Sequence, residues 1–133
     1  MTSKLRTVAL LLAVGAILEI VGFTVGTAVA GLTLVAAHVL ALWASATIGS
    51  LFTRKWILVA LLCGAIFGAA FWWLNWIFVH WVSVYLLRVD TETGFVQFSG
   101  PYSLFLVPTF LAAASLSAIG SWRQGRVRAP IGK

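Results

Sequence analysis

Between Arg6 and Arg54 the chain carries one charged residue, Glu19. Between Lys55 and Arg88 it carries none, and between Glu92 and Arg123 none again. A bilayer's hydrocarbon core, about 30 Å thick, is crossed by about 20 helical residues. The uncharged stretches are long enough to do this repeatedly. They predict an all-α integral membrane protein with four transmembrane helices, at about 7–25, 32–52, 56–80 and 101–122. The helices would form two antiparallel hairpins in a single membrane domain, 1–133, with an outer loop at 88–100 and a basic tail at 123–133.

Composition closes off the other classes. Hydrophobic residues make up 62% and charged residues 9%, against about 45–50% and about 25% in soluble domains. Neither a soluble fold nor a disordered chain has that balance. The single cysteine, Cys63, leaves no internal disulfide, and on an apolar helix it reads as a small packing residue.

The net charge of +6 sets the expected orientation. Lys4, Arg6, Arg54, Lys55, Arg123, Arg126, Arg128 and Lys133 fall on one side of a four-span arrangement, and Arg88, Asp90 and Glu92 on the other. The positive-inside rule then places the N- and C-termini in the cytoplasm. Arg123–Lys133 would lie near anionic lipids, with Gly125, Pro130 and Gly132 opposing a long helix there. The bases form no stripe with interleaved aromatics, so no nucleic-acid partner is expected. Ala28-Val29-Ala30-Gly31 resembles a cleavage site. The apolar run before it is longer than the usual signal-peptide core and is interrupted by Glu19, so the segment reads as a retained span.

Two helix faces stand out. Gly15, Glu19, Gly22 and Gly26 share one side of the first span, and His38, Ala41, Ser45 and Gly49 one side of the second. Gly22 with Gly26, and Gly64 with Gly68, are GxxxG pairs that permit close helix approach. With a connection at residues 26–31, Glu19 lies seven residues before it and His38 seven after, each about 10 Å from the outer end. That matching depth predicts a Glu19–His38 interhelical polar pair, structural or proton- or ion-coupling. A carboxylate in hydrocarbon either pairs or takes up a proton.

Trp56 follows two bases as an interfacial anchor, and Trp72, Trp73, Trp76 and Trp81 are expected at the outer interface. The apolar run continues to Leu87, so the third helix is tilted or extended, or residues 78–87 lie along the surface. Phe95-Val96-Gln97-Phe98 reads as a short extended or interfacial piece. Pro101 suits a helix start, and Pro108 should kink its helix or press it against a neighbour.

Gly15-Ala16-Ile17-Leu18-Glu19-Ile20-Val21-Gly22 is similar to the first helix of small multidrug resistance transporters, four-span proteins with one essential membrane glutamate. The likeness covers eight residues. The Trp-rich third span and long outer loop depart from that family's pattern, and membership is not inferred.

No cofactor is expected. His38 and His80 are candidate haem ligands, but their expected depths do not match. No metal site is expected, since Glu19 and His38 supply only two ligands. No catalytic residue is assigned: Ser45 is about two turns from His38, and no phosphate-binding loop is present.

The leading expectation is a non-catalytic accessory subunit of a larger membrane complex of respiratory or transport type, in the cell membrane of a bacterial or archaeal host. Its partners would be the lipid bilayer and other membrane subunits or further copies of itself. The alternatives are a small proton-coupled transporter or pore acting as a homo-oligomer through Glu19, and a lysis-type membrane-permeabilising protein.

Overall fold

A computed structural model describes residues 2–85 and 104–127. Apart from short turns the described residues are helical, with no strand among them. Helix α1 spans Thr2–Val25 and α2 spans Thr27–Gly49. A 3-10 turn, Arg54–Trp56, leads into α3, Ile57–Tyr85. Helix α4 spans Leu106–Val127. Three segments are long and apolar enough to cross a membrane: Thr2–Val25, Val29–Gly49 and Arg54–Phe78. The expected outer loop 88–100, its extended piece, Pro101 and most of the basic tail lie outside the described residues.

The hairpin α1–α2 turns far more sharply than residues 26–31 suggested. Only Gly26 leaves helical geometry, at φ 148° and ψ 167°, a region open essentially to glycine alone. Its N–H donates to the Gly22 carbonyl at 3.1 Å, and its own carbonyl accepts from Ala30 at 2.9 Å. Residues Thr27–Gly31 are already helical. Gly26 is thus the turn residue and not a packing glycine: no heavy atom lies within 4 Å of where its Cβ would stand.

Helix α2 is central. It packs on α1, α3 and α4, and α3 packs closely on α4. The buried interior consists mostly of small side chains, including Ala37, Ala41, Ala44, Ala60, Ala65, Ala113 and Ala114. Large apolar side chains face outward instead, among them Leu10, Leu58, Leu74 and Val107, each more than 60% exposed. A soluble bundle would bury them. In lipid there is no such drive between helices, so backbones approach through small residues and polar contacts.

The closest approaches of glycine to opposing backbone involve α4. A Cβ at Gly49 would overlap the Ser117 carbonyl, one at Gly120 the Ala46 carbonyl, and one at Gly64 would stand 2.6 Å from the Ala113 carbonyl. At Gly68 it would meet the Ala113 methyl at 2.7 Å. Hydroxyl bonds tie the same surfaces. Ser45 donates to the Ala113 carbonyl (2.7 Å), Ser117 to that of Ala60 (2.6 Å) and Ser121 to that of Thr53 (3.0 Å). At the end where α1 begins and α2 stops, Lys4 Nζ donates to the Ser50 carbonyl at 2.7 Å.

Two expectations about helix ends change. Pro108 falls in the first turn of α4, where its missing N–H removes no helical bond. It therefore has no ladder to break, and the kink assigned to it has no cause. Helix α4 also runs through Gly125 to Val127, into the segment assigned to the tail. Helix α3 is one continuous helix of 29 residues, about 43 Å long, so the apolar run is extended and not folded onto a surface before Tyr85.

Candidate functional site

Glu19 is the largest side chain in the described interior that is almost fully hidden, at 1% exposed. Its partner is Asn75 on α3: Asn75 Nδ2 donates to Glu19 Oε1 at 2.6 Å, between buried side chains. The expected Glu19–His38 contact is replaced by this one. The physical cause is the turn at Gly26. Because α2 starts about five residues earlier than expected, His38 slides one turn toward the other end. Gly15 faces Ala37 across the α1–α2 contact, with 3.5 Å from its would-be Cβ to the Ala37 Cα. His38 is therefore level with Gly15, four residues and about 6 Å below Glu19.

His38 occupies a different environment. Its Nδ1 lies 2.9 Å from the Leu34 carbonyl. A carbonyl only accepts, so Nδ1 carries the proton in this bond. The ring meets Phe71 edge-on at 5.3 Å and lies 6.2 Å from Phe105. It lines a cavity of about 220 Å³ between α2 and α4, bounded also by Leu34, Leu42, Pro108 and Thr109. His80 stacks on Trp76 at 5.9 Å. In the register set by Glu19 and Asn75 the two histidines are about nine residues of rise apart, roughly 14 Å. Among the described residues no three His, Cys, Asp or Glu side chains converge as a metal site would require.

The Glu19–Asn75 bond also fixes α3 against α1. Glu19 is 17 residues beyond Thr2 and Asn75 is 18 beyond Ile57, so the parallel helices start level and meet at equal height. Trp72, Trp73 and Trp76 then bracket the depth of Glu19 and do not mark the level of the hairpin turn. Trp73 stacks on Trp76 at 5.6 Å, and Trp72 lies tilted against Trp73 at 6.4 Å. Trp81, six residues beyond Asn75, is level with Val25 next to the turn, and it lies 5.6 Å from Tyr85. Trp56 is exposed at the other end of α3.

Below the Glu19–Asn75 bond, α1 and α3 separate. A cavity of about 350 Å³ lies between them, with Ala37 of α2 at its back. Glu19 and Asn75 supply its polar wall. Leu12, Gly15 and Ala16 form one side, and Phe67, Phe71 and Phe78 the other. Phe23, packed with Ala30, Leu34 and Phe78, closes the end nearest the turn.

Of the other predicted packing residues, Gly15 and Gly22 face α2, Gly22 against the Thr33 side chain, while Gly64 and Gly68 face α4. Gly120 went unnoticed in the sequence, as did Asn75 as a partner. The signal for Asn75 was available: a lone amide in an uncharged span is as conspicuous as a lone carboxylate. No family model matches the chain, and no curated protein or solved structure shows significant similarity to it.

Proposed function

We propose that this chain is a small multi-pass protein of the cell membrane, both termini cytoplasmic, acting as a non-catalytic accessory subunit of a larger membrane assembly. The observation that carries this reading is the use made of the interior polar groups. Ser45, Ser117, Ser121, Lys4 and the Glu19–Asn75 pair each join one helix to another or to a neighbouring turn. This chemistry builds a rigid bundle with a broad apolar exterior. Exposed Trp43, Trp73 and Phe110 are large anchors of the kind that fill pockets on partners. The basic residues past Arg123 add attraction to anionic headgroups, about 1 kcal/mol for each base near the surface.

The test is mild-detergent purification of the tagged chain from its own host, with mass spectrometry of what remains bound. A stoichiometric set of other membrane proteins is expected, and deletion of the chain should loosen that set. A clean homo-oligomer overturns the subunit reading.

One observation favours a second reading. Glu19 stands at the wall of a cavity, and a carboxylate at membrane depth is a natural carrier of a proton or cation. In a homo-oligomeric transporter, Glu19→Gln abolishes flux in proteoliposomes while assembly persists. If that variant retains flux, this second reading fails.

A further inference from the structure

The cleft between α1 and α3 has what a ligand site requires and a packing defect lacks. Its volume of about 350 Å³ falls within the range of small-molecule sites, roughly 300–1,000 Å³. Its walls are apolar and aromatic apart from one pair of polar side chains, Glu19 and Asn75. Those two are already oriented by their mutual hydrogen bond at 2.6 Å. Asn75 donates to Oε1, and a carboxyl group keeps further acceptor capacity on its oxygens whether charged or neutral. The recognition chemistry is therefore that of a hydrogen-bond acceptor set in a hydrocarbon slot.

We propose that this cleft binds a neutral, membrane-dissolved molecule with a hydroxyl-bearing ring. The hydroxyl donates to Glu19, the ring lies among Phe67, Phe71 and Phe78, and the apolar remainder extends along Leu12 and Ala16 toward lipid. Three features select this class. An acceptor wall demands a donor head. Aromatic side chains favour a flat ring in offset or edge-on contact. The helices around the cleft present their large apolar side chains outward, so a ligand reaches it through hydrocarbon. That route favours neutral molecules, because a charged head loses its hydration on the way. The assignment stands whether or not the chain is a subunit of a larger assembly.

The experiment uses the full chain in nanodiscs of zwitterionic lipid and a photoreactive 4-alkylphenol bearing a diazirine in its chain. Labelled peptides are mapped by mass spectrometry, with and without excess 4-dodecylphenol, dodecylbenzene, dodecanoate or dodecylamine. The expected result is labelling concentrated on α1 and α3 residues of the cleft, reduced at least tenfold by 4-dodecylphenol and little by the other three. Ala70 of α3 also lines the cleft, so Ala70→Trp, which places an indole there, should remove the protected labelling. Glu19→Gln keeps an acceptor for Asn75 and so preserves the bundle, but should weaken competition by 4-dodecylphenol severalfold. Labelling spread over the whole lipid-facing surface overturns the site. Equal competition by dodecylbenzene overturns recognition through the hydroxyl, and competition by dodecylamine alone overturns the neutral class.

Discussion

Where α4 meets α2 and α3, glycine faces backbone; where α1 faces α3, alanine faces phenylalanine. On the first side Gly49, Gly64 and Gly120 let carbonyls of the opposing helix come within the space of a methyl group. Ser45 and Ser117 then bond across the narrow gap. On the second side Gly15 turns toward Ala37 of α2, and Ala16 is left facing the cleft with Phe67, Phe71 and Phe78 opposite. Their bulk holds the helices apart and leaves the cleft. Small residues close a membrane interface only when both partners are small. One small face against a bulky one makes a cavity, and the one deep carboxylate of the described chain lies on its wall.

The largest expected effect breaks the closed side. Gly49→Ala and Gly120→Ala each add a methyl where a backbone carbonyl already lies. Backbone cannot rotate away as a side chain can, so α4 must shift as a unit. Each variant should lose about 3 kcal/mol, the upper end for overpacking. Thermal unfolding in mild detergent, followed by tryptophan signal, measures this. A midpoint unchanged by either variant would mean that α4 is not held so tightly.

Next comes the bond that spans the open side. Asn75→Leu leaves a buried carboxylate without its donor and should cost about 2 kcal/mol. Glu19→Gln preserves an acceptor and should cost far less. Replacing both, as Glu19→Leu with Asn75→Leu, should recover most of the loss, since removing a buried polar pair together is nearly neutral. A double variant as unstable as Asn75→Leu alone would show that the pair holds α1 by more than its hydrogen bond.

A smaller effect belongs to Ser117→Ala. The hydroxyl is fully buried and donates to the Ala60 carbonyl. That carbonyl lies within α3 and keeps its helical partner, so nothing is left unsatisfied. Side-chain bonds between membrane helices average about 0.6 kcal/mol, and the loss should be of that order. A loss as large as that of Gly49→Ala would move the weight of the closed side from close approach to hydrogen bonding.

Much of this contrast was legible in the sequence, because hydropathy and small-residue spacing are local properties. Uncharged runs marked α1, α2 and α3, and Gly64 and Gly68 marked a face that meets another helix. The partner of Glu19 was not legible, because it depends on register, and register depends on one turn. Reading residues 26–31 as a loop moved α2 by about five residues and put His38 beside Glu19. Gly26 alone makes the turn, and the same few residues decide that α3 supplies the partner. The height of Trp72, Trp73 and Trp76 relative to the turn was not legible for a related reason: it is set by the Glu19–Asn75 bond between helices.

The smallest effect is the sharpest test of the comparison, because it repeats one substitution on the other side. Gly15→Ala adds the same methyl as Gly49→Ala, yet its would-be Cβ stands 3.5 Å from the nearest Ala37 atoms, ordinary contact. The change also removes a helix-interior glycine, which in an exposed helix is worth up to about 1 kcal/mol. The two terms offset, so stability should move by less than about 0.5 kcal/mol in either direction. The added methyl lies where α1 meets α2 at the back of the cleft, and the Glu19–Asn75 bond one turn above should persist. If Gly15→Ala instead destabilises as much as Gly49→Ala, α1 is packed against α2 at this level as tightly as α4 is against its neighbours. In that case the tolerance of a methyl at the back of the cleft is lost, and close approach is as strict between α1 and α2 as it is around α4.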